Sequence, residues 1–124
     1  MGWTPRGTKC YWVTDRTNSW SKSREDCENR SAELLTLGDQ DELAFVKGIV
    51  QKPRSYFWIG LFLPSPGQDW TWVNGSRLDR SRFQLGSNPR DEGKICGAIR
   101  GDRIASESCS SGLHWICQKE ATLL

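Results

Sequence analysis

Cysteine usage constrains this chain more than any other feature of its sequence. Five cysteines, at positions 10, 27, 96, 109 and 117, are scattered over 124 residues. None forms a Cys-x-x-Cys pair and the only histidine is His114, so the four suitably spaced ligands of a closed zinc site are missing. Scattered cysteines in a small domain read as disulfides, with buried free thiols as the alternative, and disulfides imply an oxidising compartment. Four cysteines can pair completely and a fifth is left over. Cys10 lies close to the start of the chain, which places its expected partner just upstream. The alternatives for Cys10 are a naturally free thiol or an intermolecular bond.

The length fits a single domain spanning residues 1–124, large enough for one core and too small for two. A net charge of +2 gives no ground for nucleic-acid binding. No apolar run approaches the roughly 20 residues that span a bilayer, and no signal peptide is visible. Met1 and Gly2 stand directly before structured-looking sequence. The chain therefore reads as a domain excised from a longer protein, and a membrane anchor, if there is one, lies outside it. Seven tryptophans stand out, because Trp favours cores in which its indole N–H is satisfied, or interfaces.

Residues 9–14 are rich in β-branched and aromatic types and predict a first strand. Ser19 precedes Trp20, Ser23 or Arg24, and Cys27, which recur at helical spacing and predict a helix reaching toward Arg30. Asp39 followed by Glu42 is a capping-box pattern, and Leu43, Val46 and Val50, flanked by Phe45 and Ile49, form the apolar stripe of a second helix ended by Pro53. Tyr56 to Leu63 predicts a buried strand, and Pro64 to Gly67 a turn. Trp70 and Trp72 predict a further strand closed by Asn74-Gly75. Residues 76–94 have no clear period and read as a long loop, a feature that is usually functional in a small domain. Short strands are expected near 96–100 and 113–118. One strand, two helices and then several strands argue for an α+β class.

These landmarks together resemble the C-type lectin-like domain. The matching residues are Cys10-Tyr11-Trp12, Trp20 and Cys27, the run Trp58-Ile59-Gly60-Leu61, the stretch from Trp70 to Ser76, Cys96, Cys109, and the ending His114-Trp115-Ile116-Cys117. Within that superfamily, Ser106-Glu107-Ser108-Cys109 and Trp115 to Glu120 look most like the subfamily B branch of the killer-cell lectin-like receptors of natural killer cells. The resemblance implies a C-type lectin-like fold of two helices packed on antiparallel sheets. It also implies a type II membrane protein of the cell surface, often a disulfide-linked homodimer, whose ligands are mostly lectin-like membrane proteins. It pairs Cys27 with Cys117 and Cys96 with Cys109, one of three pairings that the sequence permits for those four.

Sugar-binding members of that superfamily hold calcium through oxygen ligands in and after the long loop. Calcium needs six to eight such oxygens. Here the loop counterpart is Asn88-Pro89-Arg90, the residues before Cys96 are Lys94 and Ile95, and the counterparts of a Trp-Asn-Asp triplet are Ile104, Ala105 and Ser106. Each cluster has lost oxygen ligands, so neither calcium nor another cofactor is expected. Asp91 and Glu92 read as solvated loop charges.

Between Arg77 and Arg103 the chain carries seven basic residues (Arg77, Arg80, Arg82, Arg90, Lys94, Arg100 and Arg103) against four acidic ones. Arginine is favoured at protein interfaces for its planar, five-donor head. Arg77, Arg80, Arg82, Phe83, Arg100, Arg103 and Glu107 are the candidate ligand-binding residues, with Phe83 as an anchor. The competing reading is a solvated surface with Phe83 in a small second core. Glu25, Lys47 and Gln51 on the two helices are expected on the opposite surface. Asn29-Arg30-Ser31 and Asn74-Gly75-Ser76 match the N-glycosylation acceptor pattern. No nucleophile motif surrounds any serine, and His114 sits on a strand expected to be structural, so no enzyme is expected. Three functions compete: a receptor module for a cell-surface protein ligand, a calcium-independent glycan-binding lectin, and a membrane ligand recognised by a lectin-like receptor.

Overall fold

The computed structural model describes residues 3–50, 55–64, 69–78, 95–101 and 103–120. Its strands are β1 (Trp3–Arg6), β2 (Lys9–Val13), β3 (Glu33–Leu34), β4 (Phe57–Leu63), β5 (Thr71–Trp72), β6 (Ile95–Arg100), β7 (Arg103–Ser108) and β8 (His114–Glu120). Its helices are α1 (Trp20–Asn29) and α2 (Gln40–Val50). The main sheet runs β1-β2-β8-β4-β6-β7, with β3 added to β8 and β5 to β4. Only the β4–β8 contact is parallel among these pairings. This is the expected α+β arrangement.

The two-residue period of β4 builds two cores, because successive side chains point to opposite faces. Phe57, Ile59 and Leu61 join Leu43 and Val46 of α2 in one buried cluster. Trp58 joins Trp20 and Cys27 of α1, with Cys96, Ala98, Trp115 and Cys117, in the other. Each helix therefore covers one face of the sheet.

Ser19 caps α1, its side chain accepting from the Lys22 amide at 3.4 Å, and Trp20, Ser23 and Cys27 form the buried stripe. At α2, Asp39 accepts from the Glu42 amide at 2.8 Å. The return bond of the predicted capping box goes elsewhere, since Glu42 accepts from the Gly38 amide at 2.8 Å. Pro53, the predicted helix stop, lies outside the described residues.

The indole N–H groups of the α1-side core find partners. Trp20 donates to the Ile59 carbonyl and Trp58 to the Asn18 carbonyl, each at 2.8 Å, and Trp115 donates to Asp26 at 3.1 Å. Gly60 lies where chains meet closely. Its amide donates to the Leu35 carbonyl at 2.7 Å, and a β-carbon there would sit 2.8 Å from the Leu34 carbonyl oxygen and from Val73. A backbone oxygen cannot swing aside, so glycine is required in this Trp-Ile-Gly-Leu run.

Two disulfides tie the layers. Cys27 joins Cys117, linking α1 to β8, and Cys96 joins Cys109, linking β6 to the residue after β7. Cys10 is a half-buried free thiol, opposite Pro5 on one side and Lys119 on the other.

Three strands are additions to the sequence reading. β1 and β3 are short and take their order from pairing with β2 and β8. β7 pairs with β6 in a hairpin whose sequence, Ala98-Ile99-Arg100-Gly101-Asp102-Arg103-Ile104-Ala105, is a palindrome about Gly-Asp. Gly101 takes φ of 63°, as tight hairpin turns require. Most of the predicted long loop, residues 79–94, lies outside the described residues.

Candidate ligand-binding surface

Strand register decides which candidate residues meet. Arg100, the last residue of β6, and Arg103, the first of β7, are direct cross-strand partners, and both are exposed. The Arg100 guanidinium stands 5.4 Å from the ring centroid of Tyr56, just ahead of β4. Glu107 pairs with Cys96 at the other end of the same hairpin. Four residues separate the two rows, about 13 Å along the strands.

Arg77 bridges to Thr71 and pairs with Asp69 at 3.4 Å. Glu107, Cys96, Phe62, Thr71 and Arg77 form one row of partners across four strand intervals, roughly 19 Å. Directly opposite residues share a face, and Cys96 and Phe62 belong to the core beneath α1. Arg77, Arg100, Arg103 and Glu107 therefore lie on the α1 side of the sheet, the two hairpin arginines at one end and the Glu107–Arg77 row at the other. Arg80, Arg82 and Phe83 lie outside the described residues.

The expected control surface divides. Glu25 belongs to α1, on the same side of the sheet as the arginines, whereas Lys47 belongs to α2 on the opposite side. Gln51 lies outside the described residues. The reason is geometric: two helices adjacent in sequence cover opposite faces of one sheet, which helical periodicity alone does not reveal.

The expected counterparts of the Trp-Asn-Asp triplet, Ile104 to Ser106, lie within β7. Ile104 is 2% exposed within the α2-side core, Ala105 contributes only a methyl group, and Ser106 is buried. His114 has a structural environment. Its ring stacks on Phe57 with centroids 5.2 Å apart, and its Nδ1–H donates to the Arg16 carbonyl at 2.8 Å.

The acceptor asparagines are both exposed, and Asn74 lies three residues before Arg77. Asn29 is the exposed last residue of α1, and Asn74 is exposed in the turn after β5. Asn74 and Ser31 line one cleft of about 590 Å³, with Lys9, Glu33, Gln118 and Glu120 among its other walls. This cleft sits at the far end of β8 from His114, the β8 residue that aligns with Phe57 and so with the arginine tip.

A signal for the tip was present in the sequence as the palindrome about Gly101. The sequence offered nothing to show that Tyr56 would lie beside it, since residue 56 reaches Arg100 only through β4–β6 pairing.

The family model of the lectin C-type domain matches residues 16–119. The chain belongs to the C-type lectin domain family. Similar curated relatives of this lectin-type domain include the rat killer cell lectin-like receptor subfamily B member 1B allele C, 38% identical over 118 residues. That match covers 95% of this chain and 52% of the relative. Mouse subfamily B member 1A is 36% identical, covering 95% and 51%, and human subfamily F member 1 is 40% identical, covering 94% and 49%. The chain thus spans about half the length of the curated relatives it matches.

Solved structures of like fold include the C-type lectin domain of murine dendritic cell inhibitory receptor 2 in complex with N-glycan. Its TM-score is 0.84 at 23% identity, covering 96% of each chain. The mouse scavenger receptor carbohydrate-recognition domain gives 0.85 at 22%, covering 99% and 97%. The lectin-type fold of this chain is that of a binding protein and not of an enzyme.

Proposed function

We propose that this chain is the extracellular ligand-recognition domain of an immune-cell lectin-like receptor. It binds a protein ligand on a cell surface, a lectin-like protein being the leading class, and it does so without calcium. The full-length protein is membrane-anchored, with this domain on the outer side.

The observation that carries the reading is the exposed pair Arg100 and Arg103. Like charges directly opposite on paired strands repel and destabilise a hairpin. A feature that opposes folding stability is expected where function demands it. An acidic partner surface would relieve the repulsion, and planar guanidinium groups suit carboxylates. Glu107 and Arg77 extend the proposed face, and Arg80, Arg82 and Phe83, outside the described residues, are proposed as ligand-binding from the sequence alone. Calcium independence is supported by the core position of Ile104 and the methyl of Ala105, which do not fit an oxygen-ligand set.

The test is binding of the purified domain to a panel of cell-surface ectodomains and to a glycan array, each with and without chelator. Saturable binding to a protein that survives both chelation and enzymatic removal of the partner's glycans is the expected result. Binding confined to glycans would replace this reading with the calcium-independent lectin, and loss on chelation would overturn calcium independence.

A further inference from the structure

The acceptor sequences Asn29-Arg30-Ser31 and Asn74-Gly75-Ser76 contain none of the proposed ligand-face residues, although Ser76 directly precedes Arg77, and the structure treats them differently. Asn74 stands in an open turn. Gly75 takes φ of 92°, and a β-carbon built on it would find no atom within 4 Å. Asn74 Oδ1 accepts from the Ser76 amide at 3.0 Å and from the Ser76 hydroxyl at 2.6 Å. The hydroxyl that the acceptor pattern requires is thus already engaged with the acceptor amide, in a turn whose residues 74–76 are exposed.

The other sequence is folded into the end of a helix. The Arg30 amide donates to the Cys27 carbonyl, the Ser31 amide to the Glu28 carbonyl and the Ala32 amide to the Cys27 carbonyl, all within 3.0 Å. The Arg30 side chain pairs with Asp26 at 2.9 Å and lies 3.9 Å from the Trp12 ring centroid. Ser31 takes φ of 60°, a left-handed conformation uncommon for a side-chain-bearing residue. Cys27, the anchor of this helix end, is bonded to Cys117. Asn29 and Ser31 are exposed, yet the residues between and after them are held in the helix end, unlike the open turn at Asn74.

We propose that Asn74 is the principal N-glycan attachment site of this protein and that Asn29 is the lesser one. Attachment forms a bond from the Asn74 Nδ2 to the anomeric carbon of an oligosaccharide. The donor is a lipid-pyrophosphate-linked oligosaccharide. Its bond from that carbon to the phosphate oxygen breaks, the lipid pyrophosphate leaves with the bonding electrons, and the transferase takes up one amide proton. Nothing is oxidised or reduced. The glycan at Asn74 roots beside the cleft lined by Ser31, Glu33 and Gln118, about 13–20 Å along β8 from the row that carries the arginine tip. It shields that flank, with Arg77 at its border, and leaves the Arg100–Arg103 tip uncovered.

This inference rests on the reading that the chain is extracellular, and the experiment separates the two. The full chain is expressed behind a secretion leader in a mammalian host, and the secreted protein is mapped by intact mass and by glycosidase conversion of Asn to Asp. Arrival in the medium with both disulfides formed is consistent with the extracellular reading, whatever the glycan result. The expected outcome is near-complete modification at Asn74, lost in Asn74→Gln and in Ser76→Ala and kept in Ser76→Thr, with lower occupancy at Asn29. Secreted protein carrying no glycan at Asn74, or an Asn29 occupancy equal to that of Asn74, overturns the proposal. Because Asn74 and Ser76 are exposed, the Asn74→Gln and Ser76→Ala variants are expected to fold, and disulfide mapping on the same samples checks it.

Discussion

Glu42 is a charged residue that the sequence marks only as a helix-capping partner, yet it is buried at 4% exposure. It accepts from the Gly38 amide, from the Tyr11 hydroxyl at 2.5 Å, and lies 3.6 Å from Lys9 Nζ. A buried carboxylate without such partners would be strongly destabilising. Burial, and then the hydrogen bond and charge of Glu42, push the Tyr11 phenol above its ordinary value near 10. The folded state thus favours the neutral phenol. The stabilisation is fully present below about pH 10, the unfolded value, and is lost as pH rises above it toward the folded value. Urea unfolding of Tyr11→Phe at neutral pH should show a loss of about 1–3 kcal/mol, because Glu42 loses a buried donor. The same measurement above about pH 10 should show a smaller deficit, since the wild type then loses stability that the variant does not have. The residue identities at positions 11 and 42 were readable as strand and helix positions. That they touch was not, because nothing local links a β2 side chain to an α2 side chain.

Among the elements, α1 and α2 were legible almost in full. Caps at Ser19 and Asp39 and stripes at 3.6-residue spacing are local signals, set by hydrogen bonds within one turn. β4, β6 and β8 were legible from apolar runs. β3 was not, because two residues carry no period, and β7 was missed because Ile104 is the one large apolar residue of an edge strand otherwise made of charged and small residues. The disulfides act between elements. Cys27 and Cys117 close a loop with a sequence separation of 90, and Cys96 and Cys109 one of 13. Loop-closure entropy gives about 4–5 kcal/mol for the first and about 3 kcal/mol for the second. Denaturant unfolding of paired Cys→Ala variants should therefore show the larger loss for Cys27/Cys117. Equal losses, or a larger loss for Cys96/Cys109, would mean that native packing and not chain entropy sets their weight.

For the molecule as a whole, the proposed face predicts how binding responds to charge. Arg100→Ala and Arg103→Ala should each weaken the identified partner by roughly tenfold or more, equivalent to about 1.4 kcal/mol. Binding by the wild type should weaken as salt rises, and the double variant should lose most of that dependence. Lys47→Ala, on the α2 side of the sheet, should bind normally, and the measurement is surface-plasmon titration over a salt series. A helix α2 effect without a hairpin effect would move the site to the opposite face.

The α+β class, both helices, the buried strands and the disulfide-bearing character followed from the chain's own order of residues, because periodicity and capping are short-range. The grouping of the candidate residues did not follow from it. Arg77, Arg100, Arg103 and Glu107 share a sheet face but occupy two ends of it, and α1 rather than α2 lies beside them. Register makes that choice. Pairing such as Phe57 with both Ile99 and His114 is selected by the packing of two cores at once. Side-chain alternation tells which residues of one strand agree in direction. Only the assembled sheet tells which residues of different strands stand together.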